Sequence, residues 1–153
     1  MKQYKLSDFL PFMEAAFEKD KDFTIPVAGV SMLPLLVENR DYIILKKCDL
    51  PLEVGDVPLY QRDNGQLVLH RIIEKKADGE YIMSGDNQFL LEGNIYDKNI
   101  IAVAKAFIID GKEVDVSTDT EYLKYKNKFV KNARTRYPVR RLRHLGHRII
   151  YGK

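Results

Sequence analysis

Apolar residues along this chain change their period twice. Between Ser7 and about Lys19, the residues Phe9, Met13, Ala16 and Phe17 recur at helical spacing and predict a short helix with one apolar face. Ser7 can cap its start, Asp8 suits the positive end of the helix dipole, and Pro11 falls in the first turn, where a missing N–H is tolerated. From Phe23 to Val116 the apolar runs are short and rich in branched residues: 24–27, 42–45, 66–73, 81–83, 100–109 and 112–116. Asp63-Asn64-Gly65, Asp78-Gly79-Glu80 and Asp110-Gly111 punctuate them as hairpin turns. The predicted class is mainly β, a compact, coiled, mostly antiparallel sheet system. Beyond Thr118 the pattern becomes helical again. Tyr122, Leu123, Tyr125, Phe129, Val130 and Ala133 are interleaved with lysines and arginines. A helix is predicted over 120–136 and a second over 139–145, with Pro138 as the break.

These boundaries divide the chain into an N-terminal helix (1–22), a β domain (23–117) and a basic helical extension (118–153). Charge sharpens the last division. Residues 1–123 hold 14 Lys/Arg against 22 Asp/Glu, a net of −8, whereas residues 124–153 hold 11 Lys/Arg and no acid. An acidic body with a basic tail points to an anionic contact for the tail. Three occupants remain open: the acidic body itself, an anionic membrane surface met peripherally, or nucleic acid. The last is not expected as a partner, because no helix-turn-helix or other reader motif is present. His144 and His147 have no cysteine or acid beside them, so no metal or cofactor is expected there.

No apolar run approaches the roughly 18 residues of a membrane span, and Glu14, Glu18, Asp20 and Asp22 are foreign to a secretory signal peptide. The chain is therefore expected in the cytoplasm or peripherally at a membrane. The single cysteine, Cys48, excludes an internal disulfide and reads as a half-buried thiol.

The candidate chemistry lies in four short segments. Gly29-Val30-Ser31-Met32-Leu33-Pro34 places a serine between a flexible glycine and a turn-forcing proline. Gly55-Asp56-Val57, then His70-Arg71-Ile72, then Gly85-Asp86-Asn87 follow in order. Serine, histidine and acid are the raw material of an activated nucleophile. In order and spacing the segments resemble the boxes of type I signal peptidases and their LexA-like relatives, over about half of the chain. Most bacterial signal peptidases and the LexA-like repressors carry a lysine in the third box. The endoplasmic-reticulum, archaeal and some sporulation-type enzymes carry a histidine, and His70 makes this chain similar to them. Lys75 and Lys76 lie beyond the box and read as solvated turn residues.

The resemblance implies the coiled β fold of that superfamily and a serine endopeptidase that cleaves a leader or signal segment. Cleavage would follow small side chains, often alanine. Ser31 would be the nucleophile and His70 its base, with an ordinary pKa near 6.5 suited to that work. Gly29, Met32 and Pro34 would shape the oxyanion and substrate-binding loop, so that the Ser31 N–H and a neighbouring donor meet the developing charge. Met32, Leu33, Pro34 and Leu35 are candidate pocket walls or, equally, core. Two acids compete to orient His70. Asp86 stands in the fourth box and is slightly favoured, although it also reads as a turn aspartate. Glu92 follows Leu91 where the histidine class often has an aspartate. Asp41 and Asp56 read as turn-setting residues. The rival to a peptidase is a non-catalytic or regulatory binding protein on the same fold. The lack of an anchor and the Leu91-Glu92 departure motivate it.

Overall fold

The computed structural model describes residues 5–146, with side chains described as far as residue 133. A 3-10 turn, Leu6–Phe9, leads into α1, Leu10–Glu18. The expected N-terminal helix is present, but Ser7 lies inside the 3-10 turn and does not cap α1. The Asp8 carboxylate accepts the Lys5 N–H at 3.1 Å instead, which tightens the first turn. Pro11 stands in the first turn of α1, where no N–H is required. Met13 is the side chain that α1 sends into the core.

The strands are β1 (Phe23–Pro26), β2 (Tyr42–Lys46), β3 (Pro58–Gln61), β4 (Leu67–Leu69), β5 (Arg71–Lys75), β6 (Tyr81–Ser84), β7 (Glu92–Ile95), β8 (Ile100–Ile109) and β9 (Lys112–Asp115). All pairings are antiparallel. One sheet runs β1-β2-β8-β3-β4, with β9 also on β8, and curls into a half-barrel. Long β8 organises it, pairing with β2 through Val103 to Ile108, with β3 through Ile100 to Val103 and with β9 through Ala106 to Ile109. Register shifts at Ile44/Leu45 and Leu59/Tyr60 bend the strands, as bulges do, and so aid the curl. The second sheet is β5-β6-β7.

The apolar run 66–73, expected as one strand, is two. Leu69, His70, Arg71 and Ile72 are all buried, so no side of that stretch can face water, and the chain turns from the first sheet into the second at His70. Lys75 ends β5 rather than lying in a turn. Strands β3 and β7 were not foreshadowed by the apolar pattern. β3 begins with proline, tolerated only at such a position, and β7 holds Gly93 and the left-handed Asn94, so pairing rather than propensity makes both strands.

One core lies within the curled sheet, around Ile25, Leu36, Leu45, Leu59 and Phe107, and takes in Met13 of α1. A second joins the sheets through Tyr60, Ile72, Tyr81, Met83 and Val103. Helix α2, Thr120–Gly146, is one helix and not the expected pair. Pro138 withholds one N–H donor from the turn before it, which weakens a helix without obliging it to end. The Asp119 carboxylate caps α2 by accepting the Tyr122 N–H at 2.9 Å. Tyr122 enters the main core edge-on to Phe107, and Ala133 is buried with Ile73, Ile82 and Leu91. Lys124, Lys128 and Lys131 stay exposed. The described part of the basic extension thus packs on the body. His144 and His147 lie outside the residues whose side chains are described. No helix among the described residues is long and apolar enough to cross a membrane.

Candidate active site

A cleft of about 220 Å³ lies beside the curled sheet, between β1, β4 and the Ser31 loop. Ser31 and His70 both line it, with Met32, Arg62, Gln66 and Gln88 among their neighbours, and strands β1 and β4 form part of its walls. The first and third sequence boxes, 39 residues apart in the chain, therefore meet at one surface. Among the described residues, the Ser31 hydroxyl and His70 Nε2 make no hydrogen bond to one another or to a third group. Catalytic hydrogen bonds are often long or unmade before substrate binds, so this arrangement is compatible with a nucleophile and its base.

The Ser31 loop is held from two sides. Within it, the Leu33 N–H donates to the Val30 carbonyl at 3.3 Å and the Leu36 N–H to the Met32 carbonyl at 3.0 Å. From the segment after β6, the Asn87 N–H donates to the Ser31 carbonyl at 2.8 Å, and Asn87 Nδ2 donates to the Val30 carbonyl at 3.1 Å. Gly85 permits this approach, since a Cβ there would fall 2.6 Å from the Ser31 carbonyl oxygen. Gly29 has φ +78°, a left-handed backbone that glycine adopts freely. The Ser31 and Met32 N–H groups donate to no described residue, which leaves two amides of the kind an oxyanion needs. Of the four candidate wall residues, Met32 lines the cleft while also belonging to the core. Leu33, Pro34 and Leu35 do not line it, and Pro34 is exposed.

His70 is 5% exposed. Its Nδ1 lies 3.2 Å from the Tyr60 hydroxyl. Tyr60 spends its own proton on Glu92, donating to Oε1 at 2.8 Å. The phenol oxygen can then only accept from the imidazole, so the proton of neutral His70 resides on Nδ1 and the lone pair on Nε2. Glu92 is fixed in turn by Arg62, whose Nε and Nη2 donate to its two oxygens at 2.6 and 2.9 Å. Burial, and next the Arg62 charge, pull the His70 pKa down to about 3, well below the ordinary value expected from the sequence. The ring is accordingly neutral, the form a general base requires. Burial and the neighbouring Glu92 charge push the Tyr60 hydroxyl well above its usual pKa.

Asp86, the slightly favoured orienting acid, is occupied elsewhere. Arg71 Nε and Nη2 donate to its two oxygens, each at 2.9 Å, and the Tyr125 hydroxyl donates to Oδ2 at 2.9 Å. Both side chains of the ion pair are fully buried. Asp86 makes no hydrogen bond to His70. Its place in the fourth segment serves the loop, because its neighbour Asn87 donates to the Ser31 carbonyl and its neighbour Gly85 leaves room for that carbonyl. Glu92 is the acid that reaches His70, through Tyr60.

Asp41 and Asp56 set turns, as expected. Asp41 accepts the N–H groups of Val37 and Asp110 at 2.8 and 2.9 Å, and its hydrogen bonds from Arg40 are the largest influence lowering its pKa to about 2. Asp56 accepts the Glu53 N–H at 2.9 Å. Burial pushes the Cys48 thiol up, in keeping with an unreactive, half-buried cysteine. Tyr60 and Arg62 escaped the sequence reading. They stand 10 and 8 residues before His70, outside every box, and only the pairing of β3 with β4 brings them to the site.

A scan against protein-family models and a search of the curated proteins both return no match to this chain.

Proposed function

We propose that this protein is a serine endopeptidase of the signal-peptidase type, on the coiled β fold of that superfamily. The observation that carries the reading is the shared cleft: it is lined both by Ser31 and by a buried, neutral histidine whose Nδ1–H is committed to Tyr60, leaving Nε2 as its basic atom. In the acylation step, the Ser31 Oγ–carbonyl carbon bond forms while the Oγ proton passes to Nε2. The carbonyl π pair moves onto the oxygen, within reach of the free Ser31 and Met32 amides. Collapse of this intermediate breaks the peptide bond, and the Nε2 proton leaves with the amine. Water then repeats the sequence in reverse roles to release the acyl group.

An extended leader segment suits this cleft. Strands β1 and β4 end the hydrogen-bonded order of the sheet, so among the described residues each keeps one unpaired edge, and both border the cleft. A peptide added as a strand would find main-chain partners there. Small side chains before the cut are the preference implied by the family resemblance.

Cleavage of a peptide library rich in Ala-x-Ala leaders, read by mass spectrometry, tests the proposal. Cuts after small residues are expected with the native chain. They should fall by roughly a thousandfold or more in both Ser31→Ala and His70→Ala. Native and Ser31→Ala proteins that process every leader equally would sink it, as would a complete lack of cutting with anionic vesicles present. Either result would favour the binding-protein alternative.

Gly85 provides a separate expectation. Gly85→Ala places a methyl against the Ser31 carbonyl and displaces the nucleophile loop. A shift of about 1 Å costs roughly 100-fold in turnover, so kcat should fall by that order in the same peptide assay.

A further inference from the structure

Resting on the peptidase reading above, we propose that Tyr60 is the positioning residue of the catalytic base: it stands between the acid Glu92 and His70 where a triad would have direct contact. The hydrogen-bond inventory leaves little alternative. Glu92 Oε2 is taken by Arg62 Nε, and Oε1 receives both Arg62 Nη2 and the Tyr60 hydroxyl. The Tyr60 ring is fully buried and meets the imidazole edge-on, with centroids 6.3 Å apart and planes at 63°. One phenolic proton serves one acceptor. Because the carboxylate has none to give, Tyr60 donates to Glu92 and accepts from Nδ1–H.

The relay separates two effects that a direct carboxylate would combine, orientation of the ring and stabilisation of its charged form. It sets the tautomer and the ring orientation, which requires only an acceptor held rigidly at Nδ1. It keeps the full negative charge one phenol away from the imidazole, with Arg62 neutralising that charge through both carboxylate oxygens. His70 is therefore firmly aimed but only weakly favoured as imidazolium. No proton moves along the relay during acylation: Nδ1 and the phenol both keep theirs, and only the Oγ proton of Ser31 changes place. Glu92 touches neither substrate nor the reacting atoms, so it acts through Tyr60.

Tyr60→Phe removes the one oxygen concerned and retains the ring that packs between the sheets. The test combines peptide kinetics with ¹⁵N spectroscopy of the His70 imidazole in the full chain. In the native protein the spectrum should report a protonated Nδ1 and a bare Nε2. In Tyr60→Phe, Nδ1 loses its acceptor, so the Nδ1–H form should give way to a mixture of tautomers. kcat should then fall roughly 100-fold or more with KM little changed. Glu92→Gln, which keeps the phenol but not the charge that orders it, should also disturb the tautomer and so covers the case in which Tyr60→Phe folds poorly. A native Nδ1–H spectrum and native kcat in Tyr60→Phe would overturn the relay. The expected tautomer change without cleavage by any form would uphold the relay and overturn the peptidase reading instead.

Discussion

Arg71→Met should lower the unfolding free energy by about 3–5 kcal/mol, the usual effect of breaking a buried ion pair from one side. The expectation follows from what Asp86 would be left with. Its carboxylate is fully buried, and two of its three hydrogen bonds come from the Arg71 guanidinium; the third comes from Tyr125. Methionine fills much of the arginine volume, so the loss measures the stranded charge and not a cavity. The guanidinium also ties elements together. Nη1 donates to the Gly55 carbonyl and to the Tyr122 hydroxyl, each at 2.9 Å, and the guanidinium carbon stands 5.7–5.8 Å from the ring centres of Tyr122, Tyr125 and Phe129. Those rings belong to α2, so the helix should loosen first. Urea denaturation followed by circular dichroism gives the free energy, and hydrogen exchange along α2 gives the order of events. The double variant Arg71→Met/Asp86→Leu should recover part of the loss, because it removes the orphaned charge. A loss well under 1 kcal/mol in Arg71→Met would show that Asp86 reaches water.

Acid should destabilise the protein well above the range where carboxylates protonate. The His70 pKa is about 3 in the folded chain against an ordinary 6.5 in the unfolded one. Below pH 6.5 the unfolded state binds a proton at His70 that the folded state refuses until about pH 3. The stabilisation is therefore fully present above pH 6.5 and is lost as pH falls toward 3, at up to about 1.4 kcal/mol per pH unit. Between pH 7 and pH 5 this amounts to about 2 kcal/mol. Urea titrations at the two pH values should show that loss in the native chain, whereas in His70→Asn only the loss from other groups remains. Equal pH dependence in both proteins would mean that the ring takes up protons in the folded state. With His70 as the base of the proposed peptidase, the same neutrality should leave the acid limb of kcat/KM far below 6.5.

The two expectations concern neighbouring residues with opposite burdens, and the contrast shows how much the sequence could settle. The order of the short segments was enough to single out Ser31 and His70 as candidates, because residue types and their spacing are local facts. The strand pattern was equally readable where side chains alternate or branch, as in β2, β6, β8 and β9. It failed where the chain is buried on every side. The stretch through His70 reads as one run of branched and apolar residues interrupted only by His70 and Arg71, and nothing in their residue types marks the corner at which the chain leaves one sheet for the other. It failed again at β3 and β7, which exist because neighbours pair with them. Pro138 looked like a break, since a missing donor is visible in a sequence while the tolerance of a long helix is not.

The choice of orienting acid shows the same limit at the level of single hydrogen bonds. Asp86 and Glu92 both stood at plausible positions, and sequence alone could not say which would be consumed by an arginine of its own and which would reach the histidine. Each acid has a bidentate arginine, Arg71 in one case and Arg62 in the other. What distinguishes them is Tyr60, a residue in no box, delivered by the register of β3 on β4. From its sequence alone the chain determined its β class, its acidic body with a basic extension, and the two side chains of the candidate dyad, all of which depend on composition, local period and residue type. Only the tertiary structure decided the tautomer of His70, its loss of basicity and the identity of the acid behind it. These depend on burial and on hydrogen-bond partners that folding brings from distant parts of the chain.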